Sequence, residues 1–269
     1  MITDEDARAR ITLRARLAHR LARHVPLTTI GIRPPEALVS LSFDDVPDSA
    51  CTVGADILDA HGAHATFFVA TALLGRRGRH WRNADRHRIA GLHARGHEIG
   101  GHTQTHPLLP ELPDHRVAFE IDENRRTLAQ IVPSAALTSF AYPFGYTSLR
   151  AKRLVGRSFA SGRGVVPGLN HGLVDPSLLR ANPLVDAALP PGRLEALMDL
   201  ALARRGWLIF FGHDVAEDPS PYGCTPGLVG AVLAAAAHRG IACTTIAEGL
   251  RRATASSGGG RRSDLATPA

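Results

Sequence analysis

The sequence predicts an α/β domain built on parallel strands. Short apolar runs alternate with helix-length amphipathic segments through most of the 269 residues, and such alternation is typical of parallel strands joined by right-handed crossovers. No linker, charge block or internal repeat interrupts the pattern. A closed barrel and an open sheet both fit it. In both architectures, functional groups are expected on loops at the carboxyl ends of the strands.

The alternating region covers residues 36–250. It contains predicted strands at 37–43, 65–70, 97–99, 139–142, 159–161, 178–182, 208–211 and 241–245, and predicted helices at 49–61, 85–95, 114–131, 147–155, 193–204 and 226–239. Residues 1–35 form an amphipathic helix and a lead-in, expected to pack outside the core, with a membrane-surface helix as the alternative. Residues 251–269 are rich in Gly, Ser and Arg, which predicts a disordered tail.

The composition is that of a globular protein, with 44% hydrophobic and 21% charged residues. Arginine accounts for the net charge of +6, since Lys152 is the one lysine, and we expect no nucleic-acid partner. Three widely spaced cysteines favour neither a disulfide framework nor a zinc knuckle. The sequence shows neither a signal-peptide pattern nor a run long enough to cross a bilayer, which predicts a cytoplasmic protein.

Two adjacent carboxylates, Asp44 and Asp45, follow the strand predicted at 37–43. Neighbouring side chains of an extended segment point to opposite sides. One carboxylate could therefore face a metal and the other a substrate water. The alternative is a turn that caps the next helix, but Asp48 and Ser49 already supply that cap.

Two histidines, His102 and His106, follow a pair of glycines at the end of another strand. With a carboxylate they would provide three protein ligands and leave positions open for water. This donor set suits zinc, and cobalt, manganese or iron are alternatives. In a chain with 14 histidines, the spacing could also arise by coincidence.

Two further strand ends carry polar or turn-forming groups. The segment 140–146 contains a Pro-aromatic-Gly turn, which either aims a backbone N–H at an oxyanion or only reverses the chain. The apolar run 207–211 ends at Gly212, His213 and Asp214. His213 is suited to protonating a leaving amine, and a buried core histidine is the alternative.

Together these segments resemble the polysaccharide deacetylases of the NodB-homology type, carbohydrate esterase family 4. The matching blocks are Ser-Phe-Asp-Asp at 42–45, His-Thr-Gln-Thr-His at 102–106, Phe-Ala-Tyr-Pro-Phe-Gly at 140–145 and the apolar run ending in His213-Asp214. The resemblance implies a distorted (β/α) barrel in one domain. It also implies a divalent metal, zinc in the first place, on Asp45, His102 and His106.

The same resemblance assigns further roles. Asp44 would be the general base and His213 the general acid, with Asp214 in support. The backbone N–H of Phe144, with Tyr142 and Phe211, would form the oxyanion and acyl pocket, and an aromatic at Phe211 implies a small acyl group.

The sequence departs from the family where an arginine usually holds the catalytic base, because Ala141 occupies that position. We hypothesise that Arg180 pairs with Asp44 instead. The family's Asp-x-x-Asp-Trp block is also missing, with only the segment 178–184 at about its place. Asp186 is a candidate for orienting His213.

The expected function is removal of a small acyl group, N-acetyl in the first place, from an amino sugar in an intracellular glycan, glycolipid precursor or glycosylated metabolite. Trp81 and Tyr222 are candidate substrate contacts. A deformylase or cyclic-amide hydrolase of the same fold is one alternative, and a non-catalytic carbohydrate-binding barrel is another. The sequence leaves the oligomeric state open.

Overall fold

Parallel strands form a curled central sheet in the computed structural model, which describes residues 11–255. The strands are β1 (Ile30–Ile32), β2 (Leu38–Asp44), β3 (Thr66–Val69), β4 (Glu98–Gly101), β5 (Ser139–Ala141), β6 (Ser161–Arg163), β7 (Gly172–Val174), β8 (Asn182–Pro183), β9 (Trp207–Gly212) and β10 (Ala242–Cys243). Across the sheet the order is β6-β5-β4-β3-β2-β9-β8, and β10 pairs with the start of β2. β1 and β7 form a separate antiparallel pair.

Helices precede, connect and follow these strands. They are α1 (Leu13–His24), α2 (Ala55–Ala60), α3 (Arg86–Ala94), α4 (Asp114–Ile131), α5 (Leu149–Ser158), α6 (Pro191–Arg204), α7 (Pro226–His238) and α8 (Ile246–Ala255). A π-helical turn, Ala50–Gly54, leads into α2. Within residues 11–255, no helix combines the length and apolar character needed to cross a membrane.

The segment 179–183 links the two edges of the sheet. On one side Leu179 donates its N–H to Gly162 O at 2.7 Å, and on the other Asn182 and Pro183 pair with β9. The sheet thereby closes into a distorted (β/α) barrel in a single domain. This confirms the fold class predicted from the alternation of strands and helices.

Strand β2 shows how the barrel places side chains. It is buried along its whole length, and its side chains alternate because successive residues of a strand point to opposite faces. Leu41 and Phe43 pack in the apolar cluster that the sheet forms with the surrounding helices, whereas Ser40 and Ser42 point into the barrel. Asp44 has the same parity as the two serines, so its carboxylate lies inside the barrel at the strand's carboxyl end.

Most predicted elements occur close to their expected positions, and the helix predicted at 114–131 matches α4. The strand predicted at 159–161 lies two residues later, as β6, because Phe159 still caps α5. β1 and β7 were not predicted, since three residues are too few to show periodicity. Helix α8 crosses the predicted boundary at 250, and residues 1–10 and 256–269 of the predicted terminal segments lie outside the described residues.

The lysine Lys152 fastens α1 to the rest of the protein. Its side chain is buried on α5, and its Nζ donates to Ala22 O and Val25 O at 2.9 Å each. The same Nζ lies 2.6 Å from Oδ2 of Asp175. One buried ammonium therefore neutralises a carboxylate and satisfies two carbonyls at the end of α1.

Replacing Lys152 should destabilise the protein strongly. In Lys152→Met the carboxylate of Asp175 loses its cation, so we expect the free energy of unfolding to fall by about 3 kcal/mol or more. Urea denaturation followed by circular dichroism measures this change. The neighbouring Arg153 is exposed, and Arg153→Met should stay within about 0.5 kcal/mol of the unmodified protein. Equal stability of the two variants would contradict the proposed stabilising role of Lys152.

Candidate active site

Asp45, His102 and His106 come together at one end of the barrel. Asp45 follows β2, and the two histidines lie in the loop after β4. Oδ1 of Asp45 is 3.7 Å from Nε2 of His102 and 3.6 Å from Nε2 of His106. One potential ligand atom of each residue lies within 4.8 Å of the other two. The fold thus assembles the three residues predicted as metal ligands.

The chemistry of this cluster fits a divalent cation. Nδ1 of His102 is 2.8 Å from Ala141 O, and since a carbonyl only accepts, Nδ1 carries the proton and Nε2 keeps a lone pair. Burial lowers the pKa of His102 to about 4, which keeps the imidazole neutral. Oδ1 of Asp45 is buried and has no hydrogen-bond partner among the described residues. An orphaned carboxylate oxygen beside two imidazoles is a suitable donor set for a metal such as zinc.

The backbone around the site is strained. Non-glycine residues with left-handed φ between 47° and 65° cluster in its loops: Asp45, Val46, Thr103, His106 and Phe144. Each such residue costs about 1–3 kcal/mol and persists only when its surroundings hold it in place. Among the other residues of 11–255, Arg205 is the one further non-glycine residue with a positive φ. The strain is therefore concentrated where the predicted functional groups lie.

Helix α4 holds the histidine loop in this conformation. Asn124 accepts a hydrogen bond from the N–H of His102 at 3.3 Å and donates to Thr103 O at 2.6 Å. Glu120 accepts from both N and Oγ1 of Thr105 at 2.8 Å. Sequence reasoning missed both supports. The available signal was two polar residues on the buried face of an amphipathic helix.

Asp44 forms a buried ion pair with Arg163. Nη2 of Arg163 lies 2.5 Å from each carboxylate oxygen, and the arginine side chain is fully buried. Burial by itself would raise the pKa of Asp44, but Arg163, followed by His102 and His213, outweighs burial and lowers that pKa below its ordinary value. Asp44 therefore stays a carboxylate inside the barrel.

Aromatic rings enclose this arginine. Its Cζ lies 5.3 Å from the ring centre of Phe68 and 5.1 Å from that of Phe211, distances at which a guanidinium interacts favourably with a ring face. Arg163 is also the register partner of Ala141 on the neighbouring strand. Arg163 therefore lies at the same height as position 141, where the resemblance implies an arginine.

The hypothesis that Arg180 pairs with Asp44 is wrong. Arg180 is exposed, and its Nη1 donates to Pro167 O at 3.1 Å. Leu179 and Ala181 on either side belong to the apolar cluster inside the barrel, so the residue between them points outward. Arg163 lies just beyond the strand predicted at 159–161, and the strand-end rule, applied there, would have selected it.

The turn Pro143–Gly145 brings Phe144 to the site. The rings of Phe144 and His106 are 4.5 Å apart. Gly145 has a φ of 72°, and a Cβ there would overlap the side chain of Val165. A glycine is thus required to close the turn, which holds the Phe144 backbone next to a histidine of the cluster.

Tyr142 does not line the site, in contrast to the prediction. It is fully buried, its hydroxyl donates to Ser177 O at 2.8 Å, and its ring packs 5.3 Å from that of Phe140. Ala141 faces the inside of the barrel, so the following residue faces the helices. Burial also raises the pKa of Tyr142, which keeps the hydroxyl a neutral donor in the core.

His213 lies in an aromatic setting at the end of β9. Its ring centre is 5.3 Å from that of Trp81 and 5.9 Å from that of Tyr222, and its Nδ1 is 3.3 Å from Tyr222 O. The Asp214 carboxylate accepts from N and Oγ of Ser220 at 2.8 and 2.6 Å, and Ser220 Oγ accepts from Tyr222 N. Asp214 therefore shapes the loop whose carbonyl meets His213.

Asp186 does not orient His213. Its carboxylate accepts from N and Oγ1 of Thr225 at 2.8 and 2.7 Å, which anchors the start of α7. The backbone carbonyl of Tyr222 takes the position expected of a carboxylate. The sequence carries no signal for this contact, because every residue provides a backbone carbonyl.

Comparisons with known proteins show the family of the chain. Residues 31–157 match the family model described as polysaccharide deacetylase. The chitooligosaccharide deacetylase of Bradyrhizobium sp. is 30% identical over 169 residues, which are 60% of this chain and 70% of that relative. The chain therefore belongs to the polysaccharide deacetylase family, and the resemblance seen in its sequence blocks is confirmed.

Solved structures share the fold. A family 4 acetyl xylan esterase from Clostridium thermocellum, in complex with a cobalt ion, superposes with a TM-score of 0.56 at 22% identity, over 79% of this chain and 90% of that chain. A family 4 pseudoenzyme from Bacillus anthracis gives 0.55 at 16% identity, over 81% and 66%. At these identities the likeness supports the barrel architecture alone.

Metal binding can be tested directly. After incubation with zinc and gel filtration, metal analysis should find about one ion per chain, lost in Asp45→Ala and in His102→Ala because each removes a ligand. His213→Gln, outside the cluster, should retain the ion. Full occupancy in both ligand variants would refute the assignment of Asp45 and His102.

Proposed function

We propose that the protein is a metal-dependent hydrolase that removes a small acyl group, N-acetyl in the first place, from an amino sugar. The observation that carries the proposal is the pair of adjacent carboxylates with different partners. Asp44 is neutralised by Arg163, whereas Asp45 faces two imidazoles and has an orphaned oxygen. This asymmetry suits a general base beside a metal ligand.

The roles of the acid and base follow from charge and hydrogen bonding. A divalent ion on Asp45, His102 and His106 would supply Lewis-acid activation of water and of the acyl carbonyl. Asp44 stays ionised through Arg163 and accepts the proton of the attacking water. His213 presents Nδ1 to Tyr222 O, which leaves Nε2 to deliver a proton to the departing nitrogen.

The acyl group and the sugar would occupy different parts of the site. We assign the backbone N–H of Phe144 as the donor to the developing oxyanion, because the residue lies next to His106 of the cluster. Phe211, half-buried against Arg163, limits the space for the acyl group. Trp81 and Tyr222 flank His213 and offer rings on which a sugar can stack. The name of the Bradyrhizobium relative, a chitooligosaccharide deacetylase, supports an N-acetylated amino sugar.

The proposal extends to the compartment. Cys51, Cys224 and Cys243 are all free thiols, which fits a reducing environment. We propose that the enzyme acts in the cytoplasm on an intracellular glycan, a glycolipid precursor or a glycosylated metabolite.

A non-catalytic carbohydrate-binding barrel is the second candidate, because a pseudoenzyme shares the fold. The presence of Asp44 and His213 together with the three candidate ligands favours the enzyme. A deformylase or cyclic-amide hydrolase would use the same groups, so the released product distinguishes it from a deacetylase.

The reaction can be tested with N-acetylated chitooligosaccharides and the zinc-loaded protein. We expect release of acetate, and we expect Asp44→Asn and His213→Gln to lower kcat by about 10²–10⁴-fold, the usual contribution of a positioned base or acid. His238→Gln, an exposed histidine on α7, is the control and should leave kcat unchanged. Sugar binding without hydrolysis in an acyl-amide panel would favour the binding barrel, and formate from N-formylated sugars would favour the deformylase.

Arg163 should be required for activity through its effect on Asp44. In Arg163→Ala we expect kcat to fall by about 100-fold, because the base loses its alignment and its counter-charge. Since Ala141 lies opposite Arg163 in register, the double variant Ala141→Arg/Arg163→Ala places a guanidinium at the same height and should recover part of the loss. Full activity of Arg163→Ala would contradict the role, and Arg153→Ala is the matched surface control.

A further inference from the structure

One face of helix α1 is apolar and exposed. Leu13, Leu17 and Leu21 recur every four residues and are 72%, 58% and 52% exposed, while Ala15 and Ala22 are buried on the opposite face. Leucines that share one helix face over two turns form a continuous stripe. Scattered exposed leucines need no explanation, but an apolar stripe of this kind marks an interaction surface.

The helix cannot rotate to bury this stripe within the protein. Its first turn is capped by Thr12, whose Oγ1 accepts from Ala15 N at 3.1 Å. Midway, Nδ1 of His19 accepts from Thr147 N at 3.3 Å, and at the other end Lys152 Nζ binds Ala22 O. Contacts along the whole length of α1 thus point the leucines outward.

Positive charge surrounds the stripe. The helix carries exposed arginines at positions 14, 16, 20 and 23 and no acidic residue. With 3.6 residues per turn, Arg14 lies on one edge of the stripe and Arg16 and Arg20 on the other. Within residues 11–255 none of these arginines forms an ion pair, in contrast to Arg95 and Arg239, which each pair with two carboxylates.

This charge distribution decides what the stripe binds. A second copy packed leucine to leucine would bring two arginine-lined helices together, and their repulsion opposes such a dimer. A surface that is both apolar and anionic satisfies the leucines and the arginines at once. Long arginine side chains can also reach upward to phosphates while their stems stay on apolar surface.

We infer that α1 binds the surface of an anionic lipid bilayer. The helix lies in the plane of the membrane, with Leu13, Leu17 and Leu21 at the acyl-chain boundary and the flanking arginines at lipid phosphates. The rings of His19 and Tyr146 are 4.6 Å apart, and Tyr146 lies two residues beyond Phe144. The membrane-binding helix therefore contacts the segment directly after the turn that borders the candidate active site.

Vesicle flotation with the full-length protein tests the inference. We expect binding to vesicles of equimolar phosphatidylcholine and phosphatidylglycerol to exceed binding to pure phosphatidylcholine by about tenfold or more, since the arginines beside the stripe are attracted to an anionic surface. High salt should weaken it by screening. Equal binding to both vesicle types, or no binding to either, would overturn the inference.

A matched pair of variants separates this stripe from exposed leucines in general. Leu13→Gln/Leu17→Gln/Leu21→Gln should abolish flotation. Leu200→Gln/Leu202→Gln changes leucines of α6 that are 42% and 40% exposed and should leave flotation unchanged. Because all five side chains are on the surface, circular dichroism and the melting temperature should match the unmodified protein in both variants. Loss of flotation in the α6 variant as well would show that the binding is not specific to α1.

Charge variants and oligomeric state complete the test. Arg14→Gln/Arg16→Gln/Arg20→Gln should remove the preference for phosphatidylglycerol, and unchanged preference would contradict the role of the arginines. Light scattering of the lipid-free protein should show a monomer. A dimer that the triple leucine variant abolishes would assign the stripe to a second copy instead. Acetate release from a water-soluble substrate is independent of these outcomes, so this inference and the proposed function can fail separately.

Discussion

The buried ion pair between Asp44 and Arg163 is the interaction on which the site depends. Removing two charges from water is costly, and their attraction offsets that cost only when geometry and surroundings are favourable. Here Nη2 meets both carboxylate oxygens, and Phe68 and Phe211 enclose the guanidinium. Because the pair requires β2, β3, β6 and β9 to meet inside the barrel, closure of the sheet and the charge state of Asp44 are coupled.

The neighbouring carboxylate, that of Asp45, lies in a different environment. Asp45 faces two imidazoles, one of them kept neutral by burial, and one of its oxygens has no partner among the described residues. The loops that carry these groups contain left-handed backbone conformations, and Asn124 and Glu120 of α4 hold the histidine loop in place. Stability contributed by the rest of the barrel thus maintains a strained cluster that a cation would complete.

The molecule has a second organised surface outside the barrel. Lys152 on α5 donates to two carbonyls at the end of α1 and pairs with Asp175. These contacts fix which face of α1 points outward. The chain's one lysine is therefore structural, while arginines supply the exposed charge. The net positive charge therefore comes partly from the arginines along α1 and partly from arginines elsewhere in the sequence.

The sequence by itself determined the alternation of strands and helices, the strand ends with polar groups, and the set Asp44, Asp45, His102, His106 and His213, because each of these signals is local. Tertiary structure alone decided the partners. Arg163 replaces the expected arginine through the register between β5 and β6, and Tyr222 meets His213 through a backbone carbonyl. Strand parity turned Tyr142 and Arg180 away from the site. Register and closure depend on contacts between distant segments, which no local pattern of residues encodes.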